Sequence, residues 1–81
     1  MHQEEVLAGI TEILGSVTGV SRADIPPGTP FADLGIDSLM MMEVVVATED
    51  RFGLLINDDD WPQFKTVLDA SRYIDRAAEG L

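Results

Sequence analysis

Pro26, Pro27, Gly28 and Pro30 fall within a five-residue stretch of this 81-residue chain. Proline fixes φ and offers no backbone donor, so no regular helix can run through that stretch. The patterns on either side are helical. Val6, Ile10, Ile13, Leu14 and Val17 recur at i, i+4, i+7, i+8 and i+11, a single apolar stripe. Glu4 and Glu5 lie in that helix's first turn, where carboxylates complement the helix dipole. Gly15 weakens its last turn, and Gly19 is a plausible stop. A second helix is predicted from Ser38 to Arg51 or Phe52, capped by Asp37 or Ser38 and ended by Gly53. Between them runs a long connection, about Val20 to Asp37. A connection of this length in a compact domain is often functional. Ile25, Phe31 and Leu34 are spaced as anchors along it, and Thr29-Pro30 predicts one short turn with Thr29 as its cap.

Beyond Gly53, Leu54-Leu55-Ile56 has strand propensity but no second strand to pair with, so it reads as a loop packed into the core. Asn57-Asp58-Asp59-Asp60 is expected to cap a short helix or turn containing Trp61 and Pro62. Thr66 with Asp69 forms a variant capping box that opens a last helix. Its inward stripe is predicted to be Val67, Ala70, Ser71, Ile74 and Ala78. The expected fold is all-α, a single domain over residues 1–81. It is a small four-helix bundle, with three main helices, a short third one and a long loop between the first two.

Composition narrows the function classes. The chain has 5 Lys+Arg against 15 Asp+Glu, a formal charge of −10. That charge repels nucleic acid phosphates and anionic membranes and attracts basic protein surfaces. There is no Cys and one His, His2, so thiolate sites, multi-His metal sites and Ser-His triads are excluded. The seven Gly are scattered and form no phosphate loop. Asp58-Asp59-Asp60 lacks the alternation, central Gly and terminal Glu of an EF-hand, and helix capping is its expected use. No catalytic residue and no metal ligand is assigned. A cytoplasmic monomer with no nucleic acid or membrane partner is expected.

One place stands out, Leu34-Gly35-Ile36-Asp37-Ser38-Leu39, where the long loop meets the second helix. A serine there serves as an ordinary N-cap, or it projects from the helix start as a hydroxyl to be esterified. Gly35 permits a sharp turn, and the positive potential of a helix N-terminus suits a phosphate ester. The following helix carries apolar residues on two faces. Met41, Val44, Val45, Thr48 and Phe52 share one; Leu39, Met42, Glu43, Val46 and Asp50 share the other. A single core-facing stripe does not require the second face. Either that face is a docking surface, or Met42 and Val46 belong to a broad core.

At these residues the chain resembles the acyl carrier protein family, in its discrete, type II form. Gly35-Ile36-Asp37-Ser38-Leu39 is similar to the family's Asp-Ser-Leu attachment motif, and Phe31-Ala32-Asp33-Leu34-Gly35 to the approach to it. Glu43 falls where the family carries an acidic recognition residue. Glu49-Asp50-Arg51-Phe52-Gly53, Asp58 to Asp60 and Phe64-Lys65-Thr66-Val67 match later landmarks. The resemblance implies a non-catalytic carrier. Ser38, with Asp37 as its motif neighbour, would be esterified with 4′-phosphopantetheine from coenzyme A by a separate phosphopantetheinyl transferase. The arm's thiol would hold acyl intermediates as thioesters. Leu39, Met42 and Val46 would form the apolar centre of a docking face, with Glu43, Glu49 and Asp50 as its acidic rim. Ketosynthase, acyltransferase and other synthase enzymes would meet it through basic surfaces.

The departures bear on the pathway. Met40 stands where relatives commonly have an acid, Asn57 replaces a frequent proline, and Trp61 and Pro62 are unusual at their positions. They point to polyketide or related secondary metabolism, with fatty acid synthesis as the alternative. A peptidyl carrier of non-ribosomal peptide synthesis shares the fold and serine, but Ile36 argues against it. A non-carrier helical module would use Ser38 only as a cap.

Overall fold

The computed structural model describes residues 3–79; His2 lies outside them. Among the described residues the chain forms three α-helices: α1 (Gln3–Thr18), α2 (Ser38–Phe52) and α3 (Val67–Glu79). Three short 3₁₀ turns lie between them, at Arg22–Asp24, Phe31–Leu34 and Trp61–Gln63. The expected short third helix is the last of these turns, too brief for an α-helical hydrogen bond pattern. The fold is all-α, and the long connection is punctuated by turns as its Pro and Gly residues require.

The core is the apolar stripe of each helix brought to one centre. Val6, Ile10, Ile13 and Leu14 come from α1, Val44 and Val45 from α2, and Val67, Ala70 and Ile74 from α3. The stripe predicted for α3 is corrected at its end: Ala77, rather than Ala78, packs against this cluster. α1 packs against both other helices. The connections fill the rest with Ile25, Phe31, Leu54 and Ile56. The run Leu54-Leu55-Ile56 alternates as an extended segment does: Leu54 and Ile56 are buried, and Leu55 is exposed. Its backbone finds partners in α2. Leu54 N donates to Glu49 O, and Ile56 N donates to Glu49 Oε2 at 2.7 Å.

α1 approaches α2 closely where Gly9 meets Phe52. A Cβ built on Gly9 would lie 2.7 Å from the tip of the Phe52 ring. Alanine in a helix interior is worth about 1 kcal/mol over glycine. Displacing a packed ring costs about 1–3 kcal/mol. The second effect outweighs the first, so Gly9→Ala is expected to lower the thermal midpoint, by a net loss on the order of 1 kcal/mol. A raised midpoint would mean that the Phe52 ring moves aside freely.

The capping box at α3 forms as its sequence implies. Thr66 Oγ1 accepts from Asp69 N, and Asp69 Oδ2 accepts from Thr66 N and Lys65 N. Two predicted caps are corrected. Pro30, not Thr29, is the cap residue of the Phe31–Leu34 turn, and no side chain closes it. The Trp61–Gln63 turn has Asp60 at its cap position without a side-chain bond to the backbone. The carboxamide of Asn57 accepts from Asp59 N instead. Asp60 turns to α3, where its Oδ2 accepts the Tyr73 hydroxyl hydrogen at 2.9 Å.

That last bond ties the Trp61 segment to α3. Burial raises the Tyr73 phenol above its ordinary value, and the hydrogen bond to Asp60 adds to the rise. The folded state therefore holds this proton more tightly than the unfolded chain. The resulting stability is fully present below about pH 10 and is lost as pH rises through the folded value. Tyr73 is the sole tyrosine. A tyrosinate absorbance titration is expected to show a midpoint above that of a free phenol; an ordinary midpoint would mean that the Asp60 bond does not persist.

Candidate functional site

Ser38 is the first residue of α2, and the geometry leading to it is local. The Phe31–Leu34 turn ends at Gly35, whose φ of 73° is left-handed and favours glycine. Gly35 N donates to Ala32 O, and Ile36 N donates to Phe31 O. The chain then extends through Asp37, which caps α2: Asp37 Oδ1 accepts from Met40 N at 2.9 Å. Of the two candidate caps, the carboxylate takes the position. The Ser38 side chain one residue later is exposed and is not spent on the cap.

A distant segment completes the surroundings. Phe31 N donates to Lys65 O at 2.8 Å, and Leu68 N donates to Pro27 O at 2.9 Å. These bonds stitch the long connection to the start of α3, with an isolated bridge between Pro30 and Thr66. Ser38 consequently borders an open groove of about 460 Å³. Phe31, Ile36 and Met41 line it from one part of the chain, and Trp61, Pro62, Phe64 and Lys65 from another. Sequence reasoning noted Trp61 and Pro62 as unusual but did not place them beside Ser38. The juxtaposition depends on backbone bonds between residues more than thirty positions apart, which no local pattern reveals.

The two faces of α2 separate as their spacing predicts. Val44 is 4% exposed and Val45 and Thr48 are buried, whereas Leu39 is 68%, Met42 54% and Val46 56% exposed. Glu43 and Asp50 are exposed on the outward side. Glu49 is half-buried, with one carboxylate oxygen held by Ile56 N, so it has a structural task whatever else it does. Apolar residues presented in this way are unusual for a lone domain unless something covers them.

The chain matches the family described as the phosphopantetheine attachment site over residues 8–74. It is 46% identical over 78 residues to an acyl carrier protein of Acidothermus cellulolyticus, covering 95% of this chain and 93% of that protein. It is equally identical to a meromycolate extension acyl carrier protein of Mycobacterium leprae, covering 68% of that one. Among solved structures, an acyl carrier protein from Enterococcus faecalis superposes with a TM-score of 0.79 at 32% identity, covering 95% of this chain and 99% of the other. The chain belongs to the phosphopantetheine attachment family and, within it, to the acyl carrier proteins. These proteins are not enzymes, and their prosthetic group is 4′-phosphopantetheine.

The residues around Ser38 suit such an arm. The hydroxyl is exposed and adjoins the positive end of α2, which favours a phosphate ester. The groove beside it is open, with a largely apolar lining and one cation, Lys65. No helix among the described residues is long and apolar enough to cross a membrane.

Proposed function

We propose that Ser38 is the residue esterified with 4′-phosphopantetheine, and that the chain carries acyl intermediates for synthase enzymes. The observation that carries this reading is the division of labour at the start of α2. Asp37 caps the helix and leaves the exposed Ser38 hydroxyl available to a transferase. The bound arm supplies a terminal thiol that holds an acyl group as a thioester, which is how a chain without Cys serves this chemistry. The protein's own contribution is to present the arm's root on a rigid helix terminus beside an open groove.

In the same reading Leu39, Met42 and Val46 form the centre of the docking face, rimmed by Glu43, Asp50 and the half-buried Glu49. Apolar centres supply affinity, and acidic rims steer encounter with basic partner surfaces such as those of a transferase, ketosynthase or acyltransferase. The pathway we infer is polyketide or related secondary metabolism, supported by Met40, Trp61 and Pro62. Fatty-acid-type chain extension is the second reading, favoured by the similarity to meromycolate extension carriers.

The test is intact mass after incubation with coenzyme A and a broad-specificity phosphopantetheinyl transferase, followed by peptide mapping. One phosphopantetheinyl mass increment located on Ser38 is the expected result. An increment elsewhere, or none with an active transferase, overturns the assignment.

A further inference from the structure

Lys65 is the only lysine of the chain. Its backbone is fixed from both sides. Lys65 O accepts from Phe31 N at 2.8 Å, and Lys65 N donates to Asp69 Oδ2 at 3.0 Å. The side chain is not used in this way. It is exposed, and among the described residues its ammonium has no ion-pair partner. The other cations are engaged or lie elsewhere. Arg51 pairs with Glu12 at 3.1 Å. Arg72 and Arg76 share a depression with Asp60 and Asp69. Arg22 belongs to the first 3₁₀ turn.

The charged residues lining the groove beside Ser38 are Asp37 and Lys65, one of each sign. Asp37 directly precedes Ser38, and one of its oxygens accepts from Met40 N in the α2 cap. An anion esterified at Ser38 therefore adjoins a carboxylate, on a chain whose formal charge is already −10. The dipole of α2 offsets part of that repulsion. Lys65 supplies the one whole positive charge in the groove. A lysine meets a phosphate as a point charge on a flexible stem, without the fixed geometry that an arginine fork demands. Attachment at Ser38 makes the encounter intramolecular, at a high effective concentration.

We propose that the Lys65 ammonium is the electrostatic partner of the phosphodiester at Ser38 and holds the root of the arm at the groove. Lys65 is a positioning residue: it restrains where the arm begins, not what the arm carries. The proposal rests on Ser38 as the attachment residue. Intact mass verifies loading before Lys65 is read, so the two fail separately.

The experiment uses the chain labelled with ¹³C,¹⁵N-lysine, which gives a single side-chain signal because Lys65 is alone. Spectra are recorded before and after loading from coenzyme A with a broad-specificity transferase. The Lys65 Cε and Nζ resonances are expected to shift on loading. That shift is expected to fall away at about 1 M salt, where the screening length is about 3 Å. The phosphorus resonance of the loaded arm is read in parallel. Its line is expected to narrow in Lys65→Gln, which keeps the stem and removes the charge, and to keep the parent's width in Lys65→Arg. Both variants are expected to melt with the parent, since Lys65 is exposed. A Lys65 signal that does not move on loading, a shift that survives high salt unaltered, or a Lys65→Arg line as narrow as that of Lys65→Gln overturns the proposal. Absence of the loaded mass instead refutes Ser38 as the attachment residue.

Discussion

Ser38→Ala is expected to abolish phosphopantetheinyl loading completely while leaving the thermal midpoint almost unchanged. The loss is total because a methyl group cannot accept a phosphodiester. The small effect on stability follows from the geometry of the helix start. Asp37 provides the cap through its bond from Met40 N, and Ser38 is an exposed residue in the first turn. Exposed substitutions of this kind change stability by less than about 0.5 kcal/mol. Asp37→Ala, which removes the cap, is expected to cost about 1 kcal/mol. Intact mass and thermal denaturation of both variants check the contrast. A Ser38→Ala protein that still gains the mass has another attachment site. One that melts far below the parent shows that the hydroxyl is structural.

Val44→Asp is expected to unfold the chain, whereas Val46→Asp leaves it folded and slows its loading. The two residues lie two positions apart on α2 and face opposite ways: Val44 is 4% exposed and Val46 is 56% exposed. Val44 sits among the buried apolar side chains of the core. An unpaired carboxylate there costs several kcal/mol. Domains of this size have a total stability of only about 4–12 kcal/mol. At Val46 the carboxylate stays in water, so folding is affected by less than about 1 kcal/mol. It does, however, place a charge at the apolar centre of the proposed docking face. Circular dichroism on denaturant titration, with a loading rate measured at constant salt, separates the two outcomes. Unfolding by Val46→Asp, or an unaltered loading rate in that variant, would remove α2's outward face from the interaction surface.

Much of this organisation is legible because it is local. The boundaries of α2 follow from Asp37 and Gly53, and its two faces from a 3.6-residue period that needs no neighbour to express itself. The capping box at Thr66 and Asp69 is a four-residue device and forms as written. The turn at Gly35 is likewise a property of its own backbone. Where two nearby groups compete for one role, the sequence leaves the choice open. Asp37 and Ser38 are both good caps, and the folded geometry selects the carboxylate. Any of Asn57 to Asp60 can cap the turn that follows; in the fold Asn57 makes the local bond and Asp60 is drawn off to Tyr73, thirteen residues away.

The sequence by itself determined the all-helical class, the two-faced second helix and the place of a serine at its start. All of these depend on spacing and on the φ restrictions of Pro and Gly. Tertiary structure alone decided what stands opposite that serine. Bonds from Phe31 to Lys65 and from Leu68 to Pro27 draw the long loop onto α3 and set Trp61 and Pro62 across the groove. It also decided that Glu49 is bound to Ile56 N as well as lying near the rim. Contacts of this kind satisfy backbone groups left over when irregular segments are buried. Which groups are left over depends on how the whole chain closes, and no short stretch of sequence records that.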